Sequence, residues 1–250
     1  MLNEKVMLPV VGGEVPLTTY CQDVIPGVTD ELLRPAVVIA GGGAYAYVSP
    51  RETEPVALRF AGFGINAYTV IYRTAPTRYP NNVQDLAAAL AWVRAHAAEH
   101  HTDPNRIAVL GFSAGGHCAA NLGVAWQNAE LWEPLGLTPE QVRPNGMILC
   151  YPVITGGPFA HRGSFENLTG TEDLSEHEKH SLENQVTSDA PETFLWTTWE
   201  DDAVPVENTL MMASALRRAG VGVELHIYRH GHHGLSLSDE TSDGLRPVPV

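Results

Sequence analysis

Apolar runs broken by glycine, proline and polar turns set the reading of this chain. Residues 4–20 alternate loosely around Gly12-Gly13, which predicts an opening β-hairpin. Residues 36–40 are a continuous apolar run, the pattern of a central strand buried on both faces. A helix is expected over 52–63, a strand over 66–72, and a long helix over 83–99. Val83, Leu86, Leu90 and Val93 recur at helical spacing in that helix, and Asn81-Asn82 precede it as caps. Asp85 falls in its expected first turn, where it would complement the helix dipole. A turn at 103–106 leads into a branched apolar run, 107–110, and then a helix over 114–126.

The second half repeats the alternation less tightly. Residues 127–145 read as irregular, with Pro134, Pro139 and Pro144. Strands are expected at 147–151, 193–198 and 223–228, the last with His226 facing outward, and a helix at 206–219. Residues 152–190 carry few apolar positions and no clear period, so they read as a lid or substrate-binding insertion. Residues 243–250 read as a tail with two prolines. Strands and helices that alternate in this way predict one α/β domain over 1–250, its mostly parallel sheet covered by helices on both faces.

Gly111-Phe112-Ser113-Ala114-Gly115 follows the 107–110 strand directly. A serine between two glycines at a strand-to-helix junction suits a sharp turn where a side chain at either glycine would clash. The helix that follows aims its free N–H groups at the serine and can stabilise an oxyanion. Gly41-Gly42-Gly43-Ala44-Tyr45 also follows a strand, and its bare amides suit an oxyanion loop.

A serine hydroxyl becomes a good nucleophile only when a histidine takes its proton and a carboxylate orients that histidine. An acidic cluster, Glu200-Asp201-Asp202, follows the 193–198 strand, and His230, His232 and His233 follow the 223–228 strand. All these groups sit at the carboxyl ends of strands, where open α/β sheets place their ligands. We take Asp201, three residues before Val204-Pro205, as the acid, with Asp202 second. We take His233, directly before Gly234, as the base. The histidine run lacks the ordered spacing of zinc sites, so no metal and no cofactor are expected.

Together these segments resemble the small bacterial esterases of the α/β-hydrolase superfamily, the type grouped with acetyl, feruloyl and acetylxylan esterases. The resemblance runs from about residue 35 to 240. It rests on Gly42-Gly43-Ala44-Tyr45 with Ser49 and Arg51-Glu52, Tyr72-Arg73, Tyr79-Pro80 with Asp85, and residues 111–117. It continues through Tyr151-Pro152-Val153-Ile154, His161 with Ser164, Asp201 with Val204-Pro205, and residues 231–235. It implies an α/β-hydrolase fold, Ser113 as nucleophile, Asp201 as acid and His233 as base. It also implies an oxyanion hole from the amides of Gly42, Gly43 and Ala114; Tyr45, Tyr151 and His161 are the candidate substrate contacts. Related esterases often begin the glycine loop with His or Pro, where this chain has Ala40 or Gly41, which leaves open which two loop amides face the oxyanion.

The expected activity is a serine carboxylesterase cleaving short-chain acyl esters, with acetylated sugars and xylo-oligosaccharides among the candidate substrates. The rival readings are an amidase or peptidase on the same fold, a metal-dependent hydrolase, and a non-catalytic binding module. Composition narrows the partners. A formal charge of −14 disfavours nucleic acid and anionic membranes. Three scattered cysteines read as reduced, buried thiols. No leader pattern and no apolar run near about 20 residues are visible, so a cytoplasmic location is expected. A homodimer is the expected assembly, since such dimers are common.

Overall fold

The computed structural model describes residues 1–243; of the tail expected at 243–250, all but Asp243 lies outside the described residues. Eight strands form one sheet in the order β1-β2-β4-β3-β5-β6-β7-β8. They are β1 Lys5–Val10, β2 Gly13–Tyr20, β3 Arg34–Ala40, β4 Asn66–Val70, β5 Thr102–Phe112, β6 Gly146–Cys150, β7 Thr193–Thr198 and β8 Val223–Tyr228. β1 and β2 form the expected hairpin, and β2 joins β4 antiparallel; every pair from β4 to β8 is parallel.

The central strands alternate between two apolar layers, as a period-two backbone buried on both faces requires. Ala36, Val38, Ile107 and Val109 face the larger core. That core is closed by three helices: α2 Asn81–Ala95, α3 Ser113–Ala125 and α8 Glu207–Arg218. Val37, Ile39, Leu110 and Phe112 face the smaller core, with Val56, Ala57 and Ala61 of α1 Glu54–Gly62. β3 and β5 are direct neighbours although β4 and two helices intervene in sequence. The chain therefore reverses its direction of growth there, and the loops leaving β3 and β5 open a crevice between them.

Local expectations change at several points, and the turn expected at 103–106 is part of β5. Residues 50–52 form a separate 3-10 turn before α1, which buries Glu52 instead of leaving it at a helix start. α2 begins at Asn81, and Asn82 turns inward to donate to the Arg73 carbonyl at 2.6 Å, so neither asparagine caps the helix with its side chain. Asp85 then lies beyond the first turn, fully buried, and takes Arg73 Nη2 at 2.7 Å and Nε at 2.9 Å. Burial pushes its carboxyl up and the arginine pulls it back, so it is a core ion pair and not a dipole partner.

Residues 127–145 hold two short helices, α4 Ala129–Trp132 and α5 Pro139–Val142. The 152–190 segment contains α6 Arg162–Thr169 and α7 Leu174–Glu178, and it contributes Val153, Ile154, Phe165, Leu168 and Leu182 to the larger core. Its few apolar residues are thus spent on anchoring it. A last short helix, α9, spans Glu240–Asp243. No helix among the described residues is long and apolar enough to cross a membrane.

Candidate active site

β5 ends at Phe112, and Ser113 opens α3 with φ of +53°, a left-handed backbone rare outside glycine. The flanking glycines are required by space. A Cβ on Gly111 would overlap the Gly115 carbonyl, and one on Gly115 would overlap the Ala40 carbonyl of β3. The turn is thereby pressed against both its own helix and the neighbouring strand. Ser113 itself is 8% exposed.

His233, from the loop after β8, reaches Ser113: its Nε2 lies 2.8 Å from Oγ. Its Nδ1 lies 2.8 Å from Oδ2 of Asp201, from the loop after β7. The Asp201 side chain is 1% exposed and that of His233 19%. The other Asp201 oxygen accepts the N–H groups of Ala203 at 3.0 Å and Val204 at 2.8 Å, which fix the carboxylate. Three residues from three loops thus form one hydrogen-bonded chain.

Their neighbours in sequence do other things. Asp202 accepts the His233 backbone N–H at 3.2 Å, and that bond holds its carboxyl below the ordinary value. His230 pairs with Glu200 at 3.0 Å on the surface. His232 Nδ1 lies 2.7 Å from the His233 carbonyl. Among the described residues, no group of three His, Cys, Asp or Glu is placed to hold a metal ion.

The pocket over Ser113 is small, about 150 Å³, and its lining includes Gly43, Tyr47, Arg51, His161 and His233. Ala114, second in α3, has no acceptor within its helix for its amide. Gly43 has φ of +124° and no acceptor for its amide among the described residues. Gly42 differs from expectation: its amide donates to Oε2 of Glu52 at 2.7 Å, so it is engaged elsewhere. The glycine loop is held from outside by Tyr72, whose hydroxyl donates to the Gly41 carbonyl, and by Asn167 of α6, which donates to the Ala44 carbonyl at 2.9 Å.

Of the three expected substrate contacts, only His161 lines the pocket, with Nδ1 2.9 Å from Ser164 Oγ. Burial and then the nearby His233 push its imidazole below the ordinary value. Tyr45 and Tyr151 do not face a substrate. Each has a left-handed backbone, φ of +57° and +37°, which turns the ring into the protein. Tyr45 is buried with its hydroxyl 2.9 Å from Nδ1 of His117. Tyr151 is buried beneath His233, its ring edge-on at 5.0 Å between centroids.

Tyr47, Arg51 and Glu52 are pocket residues that sequence reasoning did not single out as site groups. Glu52 falls at the start of the expected helix and Arg51 just before it; both belong to the quoted resemblance, but no spacing gives them a role in the site. A wider groove of about 650 Å³ lies along β7 and β8, lined by Phe194, Trp196 and Tyr228, but it includes neither Ser113 nor His233. Size alone would misplace the chemistry.

Residues 37–237 match the family model described as the alpha/beta hydrolase fold. The chain is 32% identical over 216 residues to endo-1,4-beta-xylanase B of Butyrivibrio fibrisolvens, a match covering 84% of this chain and 34% of that protein. It is 31% identical over 209 residues to the acetylxylan esterase of Xylanibacter ruminicola, covering 81% of this chain and 41% of that one. The chain therefore spans well under half the length of these two relatives. Among solved structures it resembles an acetyl ester-xyloside bifunctional hydrolase from Caldicellulosiruptor lactoaceticus. That likeness has a TM-score of 0.80 and 38% identity, over 94% of this chain and 83% of the other.

Proposed function

Because this chain belongs to the family with the alpha/beta hydrolase fold, we propose that it is a serine carboxylesterase that removes short acyl groups, acetyl above all, from sugar hydroxyls. The observation that carries this reading is the unbroken chain from Ser113 Oγ through His233 to Asp201, both links at 2.8 Å. In this proposal Ser113 Oγ attacks the ester carbonyl carbon while His233 Nε2 takes its proton. Asp201 keeps the other ring nitrogen protonated and stabilises the imidazolium that forms. The amides of Gly43 and Ala114 meet the developing oxyanion. His233 then protonates the leaving alcohol oxygen, and an acyl-serine remains. Water repeats the cycle, giving its proton to His233 and its hydroxyl to the acyl carbon; the acid departs and Ser113 regains its proton.

The small pocket favours a short acyl group, since each surplus methylene would have to be accommodated against packed walls. The polar rim of Ser49, Arg51 and His161 beside the exposed Tyr47 ring suits a hydroxyl-rich alcohol. The xylan-related names of the relatives point the same way. Cys21, Cys118 and Cys150 are free and buried, which fits a reducing, cytoplasmic setting.

Hydrolysis of p-nitrophenyl acetate, butyrate and octanoate, beside acetate release from acetylated xylo-oligosaccharides, tests the reading. Acetate and the sugar esters should be preferred, and Ser113→Ala should lower kcat by about 10⁴-fold or more with its melting temperature unchanged. Turnover retained by clean Ser113→Ala protein would overturn the serine mechanism.

A further inference from the structure

Glu52 is a carboxylate only 2% exposed, beside the nucleophile and outside the Ser113–His233–Asp201 chain. Burying a charge there is costly unless strong hydrogen bonds replace its water. Each oxygen has one such bond. Oε2 takes the Gly42 amide at 2.7 Å, and Oε1 takes the Tyr151 hydroxyl at 2.8 Å. The Tyr151 oxygen in turn accepts the Ser236 amide at 2.8 Å, three residues beyond His233, while its ring meets the imidazole edge-on.

We propose that Glu52 is a positioning residue that ties the oxyanion loop to the histidine loop, setting where the Gly43 amide and the His233 ring stand relative to Ser113. The proposal rests on the serine-esterase reading above. Glu52 fixes the peptide before Gly42, and the next peptide, which carries the Gly43 amide, is held through its Gly42 carbonyl by the Ser49 N–H at 2.8 Å, so both peptide planes leading to the pocket-lining Gly43 are set. The packing leaves little slack. A Cβ on Gly42 would lie 2.8 Å from the Phe112 carbonyl and 2.9 Å from both Glu52 Oε2 and Ser113 Cβ, so loop, carboxylate and elbow interlock at one point. On the other side, Tyr151 carries the same carboxylate's hold to the chain just past His233. Charge-assisted bonds are shorter and stiffer than neutral ones, which is what a carboxylate contributes here over an amide.

Such a tie acts on the transition state and not on ground-state binding, so its loss should appear in kcat. Glu52→Ala should lower kcat on p-nitrophenyl acetate about 100-fold, as removal of an oxyanion donor does, with KM changed less than about threefold. Inhibition by phenylboronic acid, whose serine adduct places an oxygen in the oxyanion site, should weaken alongside. Glu52→Gln retains an oxygen for the Gly42 amide and should recover kcat to within about tenfold of the parent. Tyr151→Phe keeps the ring but cuts the tie, and should lower kcat about tenfold.

A Glu52→Ala enzyme with parent kcat, a loss carried wholly by KM, or a Glu52→Gln enzyme no better than Glu52→Ala would overturn the proposal. Should Glu52→Ala fail to fold, the other two variants decide: reduced kcat with weaker boronate inhibition and unchanged melting temperature supports it, and parent behaviour in both overturns it. Inactive Ser113→Ala beside parent-like Glu52 variants would remove this role and leave the esterase reading standing. Active Ser113→Ala would remove both.

Discussion

The serine turn and the histidine loop reach the same pocket but are held by different forces. At the turn, main chain presses on main chain: Gly111 against Gly115, and Gly115 against Ala40. Around His233, side chains hold the geometry: Asp201 grips two amides and the imidazole, Asp202 grips the His233 amide, and Tyr151 supports the ring. The first arrangement is dense and unforgiving, because a packed backbone cannot yield to an extra methyl group. The second is built from separable bonds, so it should fail by degrees.

The largest effect is expected where backbone meets backbone. Gly115→Ala should cost about 3 kcal/mol or more in urea unfolding and abolish turnover, since the neighbouring β3 carbonyl has no room to retreat. A variant that folds and turns over normally would break the contrast. Asp201→Asn comes next. It should lower kcat about 10⁴-fold with little change in melting temperature, whereas Asp202→Asn should lower kcat less than about tenfold. Equal losses would mean that the two carboxylates share the work.

The last effect leaves turnover untouched at neutral pH and appears only in acid. His117 of α3 is fully buried, and burial pushes its imidazole down to about 4. The unfolded chain protonates this group first as the pH falls, so the stability it contributes is complete above about 6.5 and is lost between there and about 4. That window is worth about 3 kcal/mol. Urea titrations of the parent should therefore steepen through it, and those of His117→Gln should be flatter by a similar amount. Parallel curves would show that the buried histidine is not part of the acid response.

Much of the scaffold could be read from the chain because its central strands are buried on both faces and announce themselves as apolar runs between glycines. Ser113 was legible for a related reason: Gly111 and Gly115 record a steric demand that no other residue meets. The bond from Gly42 to Glu52 was not, since an amide carries no residue-specific mark of its acceptor. Tyr45 and Tyr151 pointed the wrong way because a left-handed backbone at a tyrosine reverses its side chain, and only glycine or asparagine would have hinted at such a turn. His161 reached the pocket from a segment whose packing hangs on a few residues such as Phe165 and Leu168, too sparse to show a period.

Ser113 and His233 stand 120 residues apart, with the histidine following the last strand of the sheet. A chain made from its N-terminus therefore adds the histidine as the 120th residue after the serine. During that interval the proposed base is missing, and a serine hydroxyl without a base is a poor nucleophile. On the proposed mechanism, reactivity toward esters waits until β8 and the loop that follows it have been made.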